Sequence, residues 1–135
     1  MSKKAIIYWS QTGNTEKMAK ALQEASGADL FFLSEISPDQ ALTYDVLALG
    51  CPAMGSEVLE EGEFEPFFTE LEGKLSGKDI FLFGSYDWGD GQWMRDWQDR
   101  VLAAGAKLIN NEGYICNLEP DDIALADLAT IGRSL

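Results

Sequence analysis

The apolar positions change their period several times along the chain. Ala5 to Tyr8 is a short apolar run after two lysines that stops at a polar, glycine-bearing stretch, which reads as a buried strand followed by a loop. From Glu16 the period becomes helical. Met18, Ala19, Leu22 and Ala25 recur on one face, and Gly27 supplies a stop. A second strand is expected over Asp29 to Leu33. Asp45-Val-Leu-Ala-Leu-Gly50 and Asp79-Ile-Phe-Leu-Phe-Gly84 are apolar on successive residues, the pattern of parallel strands covered on both faces. Between them Phe64, Phe67, Phe68 and Leu71 fall at i, i+3, i+4 and i+7, with Pro66 tolerated in a first turn and Gly73 as stop. Trp93, Met94, Trp97 and Val101 give a further amphipathic helix that ends near Gly105. Both aromatic stripes read as core. The last strand is split between Lys107 to Ile109 and Gly113 to Cys116, and Pro120 with Asp121 and Asp122 opens a terminal helix at the positive end of its dipole.

Five strands alternating with helices through short connections predict an α/β fold, a parallel sheet between helical layers with right-handed crossovers. Ligands of such sheets bind at the carboxyl ends of the strands. The loops of interest are therefore Trp9 to Thr15, Cys51 to Gly62 and Ser85 to Gly91.

Composition narrows the picture. A chain of 135 residues is expected to form one domain over 1–135. No apolar run reaches the length needed to span a bilayer and the N-terminus lacks a signal-peptide pattern, so a cytoplasmic location without a membrane partner is expected. A net charge of −13 with no basic stripe argues against nucleic acid. Glu57, Glu60, Glu61, Glu63, Glu65, Glu70 and Glu72 form an acidic run without Lys or Arg until Lys74; it reads either as a solvated face or as a docking surface for basic partners. The absence of histidine excludes imidazole acid/base catalysis and imidazole metal sites. Cys51 and Cys116 are too isolated for a redox pair and read as free thiols.

Ser10, Gln11, Thr12, Gly13, Asn14 and Thr15 place hydroxyls, an amide and helix-start N–H groups around one point. Two readings stand, an anion site and an ordinary helix cap. The loop has neither the Gly-Lys-Ser/Thr ending of a nucleotide-hydrolysing loop nor Gly-x-Gly-x-x-Gly, so as an anion site it would hold a phosphate monoester with uncharged donors.

Together with that loop, Gly50-Cys-Pro-Ala-Met-Gly-Ser-Glu57 and Phe83-Gly-Ser-Tyr-Asp-Trp-Gly-Asp-Gly91 resemble the three FMN-binding segments of short-chain flavodoxins from anaerobic bacteria. Glu63-Phe-Glu-Pro-Phe-Phe68 and Trp93-Met94 also resemble that group, so the likeness covers nearly the whole chain. The resemblance implies a three-layer sandwich whose five-stranded parallel sheet has the order 2-1-3-4-5. It implies a low-potential one-electron carrier with non-covalent FMN, not an enzyme.

By the same resemblance Ser10 to Thr15 cradle the FMN phosphate, and Met54 and Trp88 cover opposite faces of the isoalloxazine. Gly55 and Ser56 form the peptide that turns over on reduction, Ala53 is a cofactor-binding candidate of the same segment, Glu57 pairs with flavin N3, and Ser85, Tyr86, Asp87 and Gly89 meet the pyrimidine end. The residue types suit these roles: Trp88 is a flat stacking surface, Met54 a pliable one, and Gly55 a backbone free to take positive φ. Taken singly, each also has a structural reading, as a surface aromatic, a turn or one more acidic residue. Asp87 departs from the glycine usual in that group and is expected to lower the potential of at least one flavin couple. Implied partners are ferredoxin- and flavodoxin-dependent oxidoreductases and reductases, met by a monomer through its acidic face. The competing class is an FMN-dependent NAD(P)H or quinone oxidoreductase, which shares the fold and the phosphate loop. A flavin-free phosphoacceptor receiver would want an aspartate where Cys51 stands and a lysine near Asn117.

Overall fold

The computed structural model describes residues 3–135, and in it the two central apolar runs become adjacent strands of a parallel sheet. The elements are β1 (Lys4–Tyr8), α1 (Asn14–Ser26), β2 (Asp29–Phe32), α2 (Pro38–Ala41), β3 (Val46–Gly50), α3 (Phe64–Glu72), β4 (Asp79–Tyr86), α4 (Gln92–Ala103), β5 (Lys107–Leu108), β6 (Tyr114–Asn117) and α5 (Asp122–Ser134). The sheet order is β2-β1-β3-β4-β5, with β6 also on β4. β5 pairs with the start of β4 and β6 with its end, so the two segments occupy the fifth strand position in turn. Between them Asn110 and Asn111 take left-handed backbone at φ +65° and +63°, which is where the strand breaks.

Alternation along each strand sorts the core into two layers. Ala5, Ile7, Leu47, Leu49, Ile80 and Leu82 face α3 and α4, where Phe64 and Phe68 meet the Trp97 ring edge-on at 5.3 and 5.9 Å. Ile6, Tyr8, Ala48, Phe81 and Phe83 face Met18, Ala19 and Leu22 of α1 and Leu128 of α5. Both sides of the central strands are therefore dry, as their unbroken apolar runs require.

Two elements differ from the sequence expectation. β4 runs on to Tyr86, two residues past the apolar run, because β6 gives Ser85 and Tyr86 a pairing partner. The β2–β3 connection holds a helical turn at Leu33–Glu35 and the single-turn helix α2, closed by a box in which Ser37 Oγ accepts from Gln40 N and Gln40 Oε1 accepts from Ser37 N. Among the described residues no helix is long and apolar enough to cross a membrane.

Candidate functional site

The three predicted loops leave β1, β3 and β4, and parallel pairing brings these strand ends side by side. Trp9 N donates to Gly50 O at 3.0 Å, Cys51 N to Phe83 O at 3.1 Å and Ala53 N to Ser85 O at 3.0 Å, so each loop starts on its neighbour. One cleft of about 210 Å³ opens between them. Ser10, Gln11, Thr12, Thr15, Ala53, Met54, Gly55, Glu57, Ser85, Tyr86, Asp87 and Trp88 all line it. Gly13, Asn14, Ser56 and Gly89 belong to the same loops but do not line the cleft. Pro52 lines it and was missed, although it stands inside the second motif. A more open groove between α1 and α5, bordered by Lys17, Lys20 and Arg133, contains none of the predicted residues.

At one end of the cleft the chain curls around the N-terminus of α1. Gly13 is the N-cap at φ +96°, backbone that a side chain would strain, and its own side supplies no capping oxygen. Ser10 compensates: its Oγ accepts from Gly13 N at 3.2 Å and Glu16 N at 3.3 Å. The N–H groups of Gln11, Thr12, Asn14 and Thr15 have no protein acceptor among the described residues. Unfilled donors at a helix start suit a phosphate. The helix-cap reading holds for Ser10, while the remaining donors stay open to an anion. No Lys or Arg lies in the loop, and the cations one and two turns on are engaged, Lys17 with Glu119 at 2.6 Å and Lys20 with Glu16 at 3.6 Å.

Thr15 and Ser85 are the buried polar pair of the site, with hydroxyls 3.0 Å apart and Ser85 N donating to Thr15 Oγ1 at 3.4 Å. They tie the first loop to the third.

The second loop is a tight reversal. Met54 and Val58 exchange backbone bonds of 2.8 and 2.9 Å, which encloses Gly55, Ser56 and Glu57, with Gly55 at φ +50° and Glu57 at φ +57°. Nothing stands within 4 Å of where a Gly55 Cβ would lie, so the positive φ and not crowding calls for glycine there. Glu57 Oε1 accepts from Asp90 N and Gly91 N at 3.1 Å each, and a Cβ at Gly89 would strike this carboxylate. Glu57 therefore latches the second loop to the third, a role the sequence did not indicate, and its other oxygen keeps its acceptor capacity. Trp88 stands 62 % exposed over the cleft. Asp87 is exposed and needs no left-handed backbone; Gly89, at φ +90°, takes that conformation instead.

Cys51 lies under the cleft. Both cysteines are free; burial pushes the Cys51 thiol up, and its Sγ accepts from Glu60 N, so its role is packing. The acidic run is less uniform than its sequence suggests. Glu60 folds back to accept from Gly62, Glu63 and Phe64 N at the start of α3, and Glu63 accepts from Trp9 Nε1. Arg100 of α4 forks onto Glu65 and Glu72 at 2.7–2.9 Å, and its hydrogen bond holds Glu65 below the usual carboxylate range.

A doubly wound parallel sheet with a cleft at its carboxyl edge and a loop of open, uncharged donors at β1–α1 has the architecture of nucleotide-binding α/β proteins. The comparisons make this specific. The flavodoxin family model matches residues 6–129. The flavodoxin of Clostridium beijerinckii is 47 % identical over 135 residues, 96 % of both chains, and that of Megasphaera elsdenii 48 % over 122 residues, 87 % of this chain and 88 % of the relative. The solution structure of two-electron reduced Megasphaera elsdenii flavodoxin superposes with a TM-score of 0.84 at 43 % identity, covering 98 % of this chain and 99 % of that one. The chain belongs to the flavodoxin family. It is an FMN-bound electron carrier that serves redox partner proteins, not an enzyme.

Proposed function

We propose that the three loops hold FMN with its phosphate at Ser10–Thr15 and its ring between Met54 and Trp88, and that the chain passes electrons singly at low potential. The observation that carries this reading is the convergence of Met54, Trp88 and the unfilled α1 donors on one cleft. Bound FMN supplies redox chemistry in two one-electron steps; the protein's part is to make the steps unequal. With no Cβ and φ +50°, Gly55 lets its peptide rotate and would present a carbonyl oxygen to a proton that arrives with the first electron, which favours that stage alone. Uncharged phosphate donors leave the phosphate's field in place, and with Glu57 and Asp87 on the cleft wall it opposes a second negative charge. Asp87 is exposed, so water screens much of its share. Stepwise anaerobic reduction with visible spectra is expected to show two separate stages, and NADH alone should not bleach the flavin quickly. A single two-electron transition would overturn the reading.

Docking follows from the same surface. Glu61 and Asp87 are exposed on the second and third loops, beside the 62 % exposed Trp88 and an Asp90 paired with Arg95, and would meet basic sites on ferredoxin- or flavodoxin-dependent oxidoreductases and reductases. We take the carrier to act as a single-domain monomer. Its reduction by such a partner should slow as ionic strength rises from about 0.01 to 0.15 M, because the Debye length falls from about 30 to 8 Å. A rate independent of salt would sink electrostatic docking.

A further inference from the structure

We propose that Asn117, a residue outside the cleft, is a positioning residue that aims two backbone N–H groups of the third loop at the flavin ring. The inference rests on the assignment of the cleft as the FMN site. Asn117 ends β6, in register with Tyr86 at the end of β4. Its Nδ2 donates to Tyr86 O at 3.1 Å and to Asp87 O at 3.3 Å, one amide proton for each carbonyl. Two carbonyl partners require the NH₂ end of the side chain, so the orientation of the amide is fixed by its neighbours. Leu118 N adds a 2.8 Å bond to Tyr86 O, and Leu118 takes φ +59°, a costly conformation for a bulky residue that turns the chain away directly after this anchor.

Holding these carbonyls sets the opposite side of each peptide. All described peptide bonds are trans, so the C=O and N–H of one peptide point in opposite directions. With Tyr86 O and Asp87 O drawn toward β6, the N–H groups of Asp87 and Trp88 point away from β6, to the side where Tyr86, Asp87 and Trp88 line the cleft. Neither N–H has a protein acceptor among the described residues. They are free donors on a cleft wall, where they would meet the carbonyl oxygens and ring nitrogens of a bound isoalloxazine. Donors fixed before a charge develops need no reorganisation when it does. A loop released from Asn117 would have to be ordered by FMN itself, at the expense of affinity.

The test compares the wild type with Asn117→Asp, Asn117→Ser and Gln98→Ala, reading the FMN Kd and both one-electron midpoint potentials. Asp is nearly isosteric but turns only acceptors toward the two carbonyls; it should weaken FMN binding about tenfold or more and move the second couple to a more negative potential. Ser carries no charge and keeps one donor, so it should move both quantities the same way by less, which separates lost aim from added charge. Gln98 Oε1 accepts from Gly113 N at 2.7 Å before β6 begins, so Gln98→Ala loosens that end of the strand and should leave Kd and potentials unchanged. If the wild type binds FMN while Asn117→Asp keeps its Kd and potentials, or if Gln98→Ala moves them equally, the inference falls alone. A wild type that takes up no FMN overturns the cleft assignment and the inference with it.

Discussion

Gly84→Ala should cost the chain a large part of its stability and weaken its hold on FMN. Gly84 sits in β4 under the cleft, and a Cβ there would collide with the carbonyl oxygen of Cys51 while lying 3.2 Å from a ring carbon of Trp93. Neither neighbour gives way cheaply. The Cys51 carbonyl is fixed by its place after β3, where Cys51 N donates to Phe83 O, and it accepts the buried Trp93 Nε1–H at 3.2 Å. Overpacking in a tight core costs about 1–3 kcal/mol, occasionally more. Pushing the carbonyl off Trp93 adds roughly 1–3 kcal/mol for a stranded indole donor. Together these take a large part of the roughly 5–15 kcal/mol that stabilises a typical domain. Urea unfolding of the apoprotein measures this, with Gly73→Ala as the contrast. Gly73 has φ −74° and nothing within 4 Å of where its Cβ would stand, so that change should be neutral or stabilise slightly. A Gly84→Ala protein with wild-type stability would mean that the backbones do not approach as closely as this floor requires.

The same strand shows what the sequence could disclose. Its apolar run announced a central strand, but its extension to Tyr86 depends on β6, which lies about thirty residues further on. Local signals served well: Gly27 and Gly105 stop helices at φ +70° and +86°, and the last strand breaks between the two segments expected. α2 escaped because four residues carry no period, although Ser37-Pro38 followed by Gln40 is a readable cap. The residues that line the cleft were legible because each loop bears its own motif at a strand end. Their mutual bonds were not. Glu57 reaches 34 residues to Gly91, and Arg100 reaches back 35 residues to Glu65 and 28 to Glu72, which removes part of the apparent acidic face. Such pairs follow from topology and helix orientation, not from spacing along the chain.

Trp88→Ala should cut FMN affinity by roughly one to two orders of magnitude while leaving the apoprotein's stability nearly unchanged. The side chain is 62 % exposed, so truncating it removes little from the folded core, and exposed substitutions usually stay within about 0.5 kcal/mol. A ring stacked on its face changes the balance. Alanine substitution under a stacked base costs about 1–3 kcal/mol, which is roughly 5- to 150-fold in Kd. Met54, on the second loop, cannot replace the lost face because the reciprocal bonds with Val58 hold its backbone in place. Trp88→Phe should recover most of the affinity, since it restores a flat apolar face without the indole. Titration of the apoprotein with FMN gives the affinities, and protein fluorescence supplies a second reading. FMN should quench the wild type more than Trp88→Phe, because Trp93 and Trp97 are buried in the core and Trp9 is turned to Glu63 by its Nε1–H, whereas Trp88 stands at the cleft. An alanine variant that binds FMN as tightly as the wild type would remove Trp88 from the ring site, and the proposed sandwich with Met54 would fall with it.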